Sequence, residues 1–295
     1  MTTLKTLVVA CALACSTPVW AGETPQAKPA ATVLVAHPVV YALTRQLAEG
    51  TRIDVSRVVP DTLPPTRHAA YFNGRGAAAL ERAAREADAV VGLRAVWADD
   101  VLYPHARRAN LRIVEIDAAR PIDGTLPGVA LRAGDADGLN AWLDPTNLGR
   151  MADIVAHDLA RLAPADAAAV AQRLAAYKRE VVRLAAEAGQ RFAALDNPVV
   201  FSLSDRLDYF ITGFNLDLEG RDLRADDEWT PQAVSALLER LHAADVGIVL
   251  HHRAPPEALA LALQRGGVRV AVLESAGNDP LQALRDNVTA VLGAN

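Results

Sequence analysis

One stripe of apolar residues limits this chain's architecture more than any other feature. Val170, Leu174, Tyr177, Val181, Leu184, Ala188 and Phe192 step by four, three, four, three, four and four. That spacing places their side chains on one face of an α-helix. Pro164 fits the first turn of such a helix, where a missing N–H costs nothing. A helix from Pro164 to about Leu195 is roughly 45 to 50 Å long, at ~1.5 Å per residue. On either side of it, short β-rich runs alternate with helical patterns such as Gly76 to Ala87. The runs before it are Thr32 to Ala36, Arg52 to Val59, Asp88 to Leu93 and Arg112 to Ile116. Those after it are Pro198 to Leu203, Phe214 to Glu219, Val246 to His251 and Val268 to Leu273. Strand-helix alternation implies parallel strands with both faces covered. The expected fold class is therefore α/β: two lobes, each a small parallel sheet flanked by helices, joined by one long rigid helix. The expected lobes are residues 32–146 and 197–295, with connecting helices over 147–196. No Gly- or Pro-rich linker separates the halves, so the long helix reads as a strut that limits their relative motion.

The first residues read as a processed leader, not as fold. Lys5 is a basic start, Leu7 to Ala14 an apolar run, and Val19-Trp20-Ala21 a small-residue cleavage pattern. Residues 1–21 are thus a secretory signal, too short for a membrane span, and 22–31 a disordered lead-in. Export to the periplasm follows. Acylation of Cys15 is disfavoured, because Ala12 stands where a larger aliphatic residue is usual. Cys11 and Cys15 are the only cysteines, so the mature chain has no disulfide and no thiolate ligand. Without Lys5 it carries 29 basic and 35 acidic residues, with no basic stripe for nucleic acid. No Gly-x-Ser-x-Gly elbow, Walker loop or His-Glu-x-x-His occurs. The Gly74-Arg75-Gly76 run lacks the third glycine of a dinucleotide loop. The expectation is a binding protein, not an enzyme.

Ligands of such sheets bind beyond the carboxyl ends of the strands, and two facing lobes make a cleft there. The residues to inspect are His37, the loop from Pro60 to Tyr71, Arg94, Asn140, Ser204 to Arg206, His251-His252 and Glu274. Asp144 before Pro145 is a helix start, and Asp99-Asp100 reads as a second, solvated one. Asp205 and Glu274 are candidates for a carboxylate couple across the cleft, to which no reaction is assigned. His157 and His242 fall in helical patterns, as surface or packing residues.

The segment from Asn140 to Tyr177, opening "NAWLDP", resembles the metal-type solute-binding proteins of bacterial ABC transporters, the zinc/manganese/iron group. "YALTRQLAEG" (Tyr41 to Gly50), "EADAVVGL" (Glu86 to Leu93) and "SDRLDYFITGFNLDLEG" (Ser204 to Gly220) extend the likeness over nearly the whole mature chain. The resemblance implies a periplasmic binding component that serves a membrane permease and its ATPase. It also implies one metal held by three histidines and a carboxylate. Carried over, those positions are Thr66, Asn140, Ser204 and Glu274, and only the last keeps its chemistry. Late divalent metals favour imidazole and thiolate, so this oxygen and amide set makes a poor zinc site. Three readings stay open. His68 replaces Thr66 and binds metal with Glu274, helped by His37 or by one of His251 and His252. Alternatively, arginines at strand ends (Arg67, Arg94, Arg206, Arg253) and nearby aromatics hold an anionic chelate such as a ferric siderophore. In the third, the chain is an accessory subunit that touches a second periplasmic binding protein.

Overall fold

The computed structural model describes residues 29–132 and 138–293. The expected signal, both cysteines and most of the lead-in lie outside the described residues. The first half contains β1 (Ala31–Val35), α1 (Pro38–Ala48), β2 (Ile53–Arg57), α2 (His68–Phe72), α3 (Ala77–Glu86), β3 (Ala89–Gly92), α4 (Leu102–Ala109) and β4 (Val114–Asp117). Two long helices follow, α5 (Pro145–Leu162) and α6 (Ala167–Ala193). The second half contains β5 (Val199–Ser202), α7 (Asp208–Gly213), β6 (Asp217–Arg221), α8 (Pro231–Ala243), β7 (Ile248–His251), α9 (Glu257–Arg265), β8 (Arg269–Val272) and α10 (Pro280–Leu292). The sheets run β2-β1-β3-β4 and β6-β5-β7-β8, and every pairing is parallel. The second half thus repeats the strand order of the first.

Strand alternation divides the core. Val33 and Val35 face one way with Leu43 on α1 and Val155 on α5, while Leu34 and Ala36 face Phe72, Leu80 and Leu102. The first of these clusters does not stop at the half. It continues through Val181 and Phe192 on α6 to Val200, Leu250 and Leu284. α6 packs on α1 and α5 of the first half and on α10 of the second. Its buried stripe is Val170, Tyr177, Val181, Leu184, Ala188 and Phe192, with Leu174 half-buried against the same cluster. Each large apolar side chain buried this way contributes about 1.5–3 kcal/mol. A core shared by both halves is the physical content of a strut.

Two expectations shift. The long helix splits, with a 3-10 turn at Pro164–Asp166 before α6 begins. The sixth strand starts three residues later than its apolar letters suggest. Phe214 and Leu216 are buried to serve the core, and Asn215 takes a left-handed φ of 54° that turns the chain into β6. No described helix is long and apolar enough to cross a membrane.

The halves also meet tightly at one glycine. A Cβ on Gly213 would lie 2.9 Å from the Asp144 Cα, so α7 can approach the start of α5 only without a side chain there.

Candidate functional site

Asn140 opens the segment that joins the halves. It adopts a left-handed φ of 65° and leads into a 3-10 turn at Ala141–Leu143. Asp144 then caps α5, accepting from the Thr146 N–H at 2.7 Å and the Asn147 N–H at 3.4 Å, with Pro145 in the first turn. Replacing Asp144 with Ala should cost about 1 kcal/mol, read as a lower urea midpoint at unchanged m-value. The turn buries Trp142, whose Nε1–H donates to the Ser275 carbonyl in the second half at 3.0 Å.

The Trp142 ring lies 5.2 Å from the His37 ring, and His37 lies 5.2 Å from Trp97. His37 follows β1 on the face of Val33 and Val35, and is 4 % exposed. His68, at the start of α2, is 2 % exposed and lies 6.2 Å from the same Trp97 ring. Burial drives the His37 pKa down to about 3, with further pushes from His68 and Arg57. Burial also lowers that of His68, opposed by a backbone hydrogen bond to Leu63 and reinforced by Arg57. Both imidazoles are therefore neutral at neutral pH. His37 Nδ1, His68 Nε2 and Arg57 Nε are buried with no hydrogen-bond partner among the described residues.

Arg57 escaped the sequence reading, although its signal was present. Ile53, Val55 and Arg57 alternate along β2, so Arg57 shares the face that α1 covers. The register pairs Val35 with Arg57, which places a guanidinium beside the end of β1, two residues before His37. Its Cζ sits 5.7 Å from the Tyr41 ring centroid.

The positions carried over from the resemblance lie on separate elements. Thr66 is exposed in a 3-10 turn. Asn140 is buried beside Trp142. Ser204 Oγ accepts from the Arg206 N–H at 3.2 Å and so caps the turn before α7. Glu274 is exposed, and Asn287 clamps its backbone with bonds of 2.7 and 2.9 Å. Arg94 is committed to Glu115 through a two-pronged pair at 2.7 and 2.9 Å.

A second histidine pair ends β7. The His251 and His252 rings lie 4.7 Å apart, and His251 Nδ1 accepts from the His252 N–H at 2.9 Å. Burial, then His252, pushes His251 down to about 4. Exposed Asp205 and Arg206 act electrostatically on His252. Among the described residues, no group of three or more His, Cys, Asp or Glu is placed to hold a metal ion.

Of the expected solvated pair Asp99-Asp100, Asp99 is exposed and Asp100 is not. Asp100 is 7 % exposed and accepts from the Leu93 N–H at 2.7 Å and the Leu102 N–H at 3.2 Å, tying β3 to α4. Asp208 was also missed. It takes ion pairs from Arg132 of the first half and from Arg221 at 2.9 Å. Breaking a buried pair costs about 3–5 kcal/mol, but both arginines are about a third exposed. Asp208→Asn should therefore cost only about 1–2 kcal/mol after discounting for solvent screening, measured by chemical denaturation.

Two four-stranded parallel sheets on one long helix, with His37 just after β1 and His251 at the end of β7, are the architecture of a two-lobed metal-type periplasmic solute-binding protein. The family model described as ZnuA, zinc-uptake complex component A, periplasmic, matches residues 33–292, and the chain belongs to that family. A crystal structure of ZnuA aligns with TM-score 0.66 and 23 % identity, over 90 % of this chain and 98 % of that one. An FpvC mutant from Pseudomonas aeruginosa aligns at 0.67 and 21 %, over 89 % and 99 %. The Zn(II)-bound ZnuA-like domain of Streptococcus pneumoniae AdcA aligns at 0.66 and 16 %, over 89 % and 97 %. At such identities the likeness carries the fold. No curated protein matches the sequence.

Proposed function

We propose that this chain is the periplasmic binding component of an ABC importer for metal uptake, and that it takes its metal as an anionic chelate, such as a ferric siderophore. The ligand lies in the cleft between the lobes (residues 32–146 and 197–295), and the loaded protein hands it to a membrane permease driven by an ATPase. The leader over residues 1–21 directs export. The continuous core across α6 supports small movements of the lobes on loading.

One observation carries the choice of a chelate over a bare ion. Arg57 places a fixed positive charge beside the His37–His68 pair. Neutral imidazoles suit zinc, but a largely buried guanidinium nearby, paired only at one end with exposed Asp61, disfavours a divalent cation there. The same charge attracts an anionic complex. His68 and Glu274 are then contacts to the complex, and the accessory-subunit reading needs no ligand at all.

Trp97 and Trp142 flank His37 and provide the readout. A ferric siderophore should quench tryptophan fluorescence saturably in chelator-stripped protein. Zinc chloride should not add the ~2.7 kcal/mol of stability expected at 100 times a dissociation constant. Zinc stabilisation of that size, lost in His68→Ala, would overturn the chelate reading. Absence of both responses, with copurification of another binding protein, would favour the accessory role.

A further inference from the structure

A cavity of about 630 Å³ lies beside α1, lined from both halves of the chain. That volume suits a small molecule. α1 contributes Tyr41 and Arg45, β2 and the loop after it contribute Arg57 and Asp61, and the turn before α10 contributes Asn278 and Asp279. Both guanidinium groups pack on one ring. Arg45 Cζ is 5.6 Å and Arg57 Cζ 5.7 Å from the Tyr41 centroid.

The acids of this cavity are already engaged. Asp61 pairs with Arg57 Nη1 at 3.1 Å, and Glu49 pairs with Arg173 at 3.0 Å. Asp279 caps α10, accepting from Leu281 and Gln282 N–H groups at 3.0 and 3.1 Å. The cations are less satisfied. Arg45 has no carboxylate partner among the described residues. The Arg57 side chain is only 9 % exposed, and its Nε has no acceptor. A buried charged donor without an acceptor is costly, and a guanidinium fork matches a carboxylate in two-pronged geometry. Phosphate or sulfate would bring more negative charge close to Asp61, Glu49 and Asp279, so a singly charged planar group fits better.

We propose that this cavity binds a carboxylate-bearing organic acid, held by Arg45 and Arg57 against Tyr41. The site goes beyond the transport reading and requires no metal. Calorimetry of metal-free full-length protein with L-lactate, a singly charged carboxylate, tests it. Lactate should bind at one site per chain, more tightly than sulfate. Arg45→Ala, a change at an exposed position, should weaken lactate by about tenfold or more, the value of one charge-assisted hydrogen bond. Arg57→Gln should abolish binding in protein that still melts cooperatively; if that variant does not fold, Arg45→Ala carries the decision. Arg75→Ala removes a guanidinium that packs on Tyr71, away from the cavity, and should change nothing. No lactate binding, sulfate binding as tightly as lactate, or an equal loss in Arg75→Ala would each overturn the proposal. The proposal shares Arg57 with the chelate reading, but the two failures are distinguishable, since ferric siderophore quenching is a separate titration.

Discussion

Trp142→Ala is expected to lower the unfolding free energy by about 3–5 kcal/mol, the largest effect of any single change considered for this chain. The ring is 2 % exposed and packs on His37, so truncation leaves a cavity where the two halves meet. It also strands the Ser275 carbonyl, which loses its 3.0 Å donor. Trp142→Phe separates the two contributions. It keeps most of the ring and loses the N–H, at a cost of about 1 kcal/mol for one neutral hydrogen bond. Urea denaturation of both variants gives the comparison. A loss below about 1 kcal/mol for Trp142→Ala would mean that the ring does not tie the halves together.

The second large effect is a loss of stability in mild acid. His37 is neutral in the fold, with its pKa pushed down to about 3 by burial, then by His68 and Arg57. In the unfolded chain it takes up a proton near the ordinary value of 6.5. Its contribution is therefore complete above pH 6.5 and is lost as pH falls from 6.5 towards 3. At pH 5 the loss is about 2 kcal/mol, from ~1.36 kcal/mol per unit of separation. His68 and His251 add in the same direction. Asp117 opposes them, because burial raises it to about 6 and the fold binds its proton first. Comparing His37→Leu with the parent cancels these shared contributions. The variant should lose about 2 kcal/mol less than the parent between pH 7 and pH 5, in melts at matched ionic strength. Parallel pH profiles would show that His37 is not held neutral.

The architecture was legible because periodicity is a local property. The stripe on α6 and the alternation of β1 and β2 can be read within a few turns of chain, and both halves carry the same rhythm. The Asp144-Pro145 start was legible for the same reason. What was hidden depends on register and on distant pairing. Arg57 stands 20 residues after His37 and meets it only because Val35 pairs with Arg57. Asp208 meets Arg132 across 76 residues. The sixth strand was misplaced because Phe214 and Leu216 are apolar for the core, not for the sheet. Asp100 looked solvated because a carboxylate next to another carboxylate usually is; its two backbone donors come from residues a turn away in space.

His37 after β1 and His68 at the start of α2 were singled out in the sequence separately. Their shared Trp97, and the guanidinium beside them, turn a question about missing metal ligands into one about charge. Native mass spectrometry of chelator-stripped protein, offered zinc chloride and a ferric siderophore in separate titrations, tests this most directly. The account predicts one ferric complex per chain and no zinc adduct that survives a tenfold excess of siderophore. Stoichiometric zinc that resists that competition and disappears in His68→Ala would contradict it.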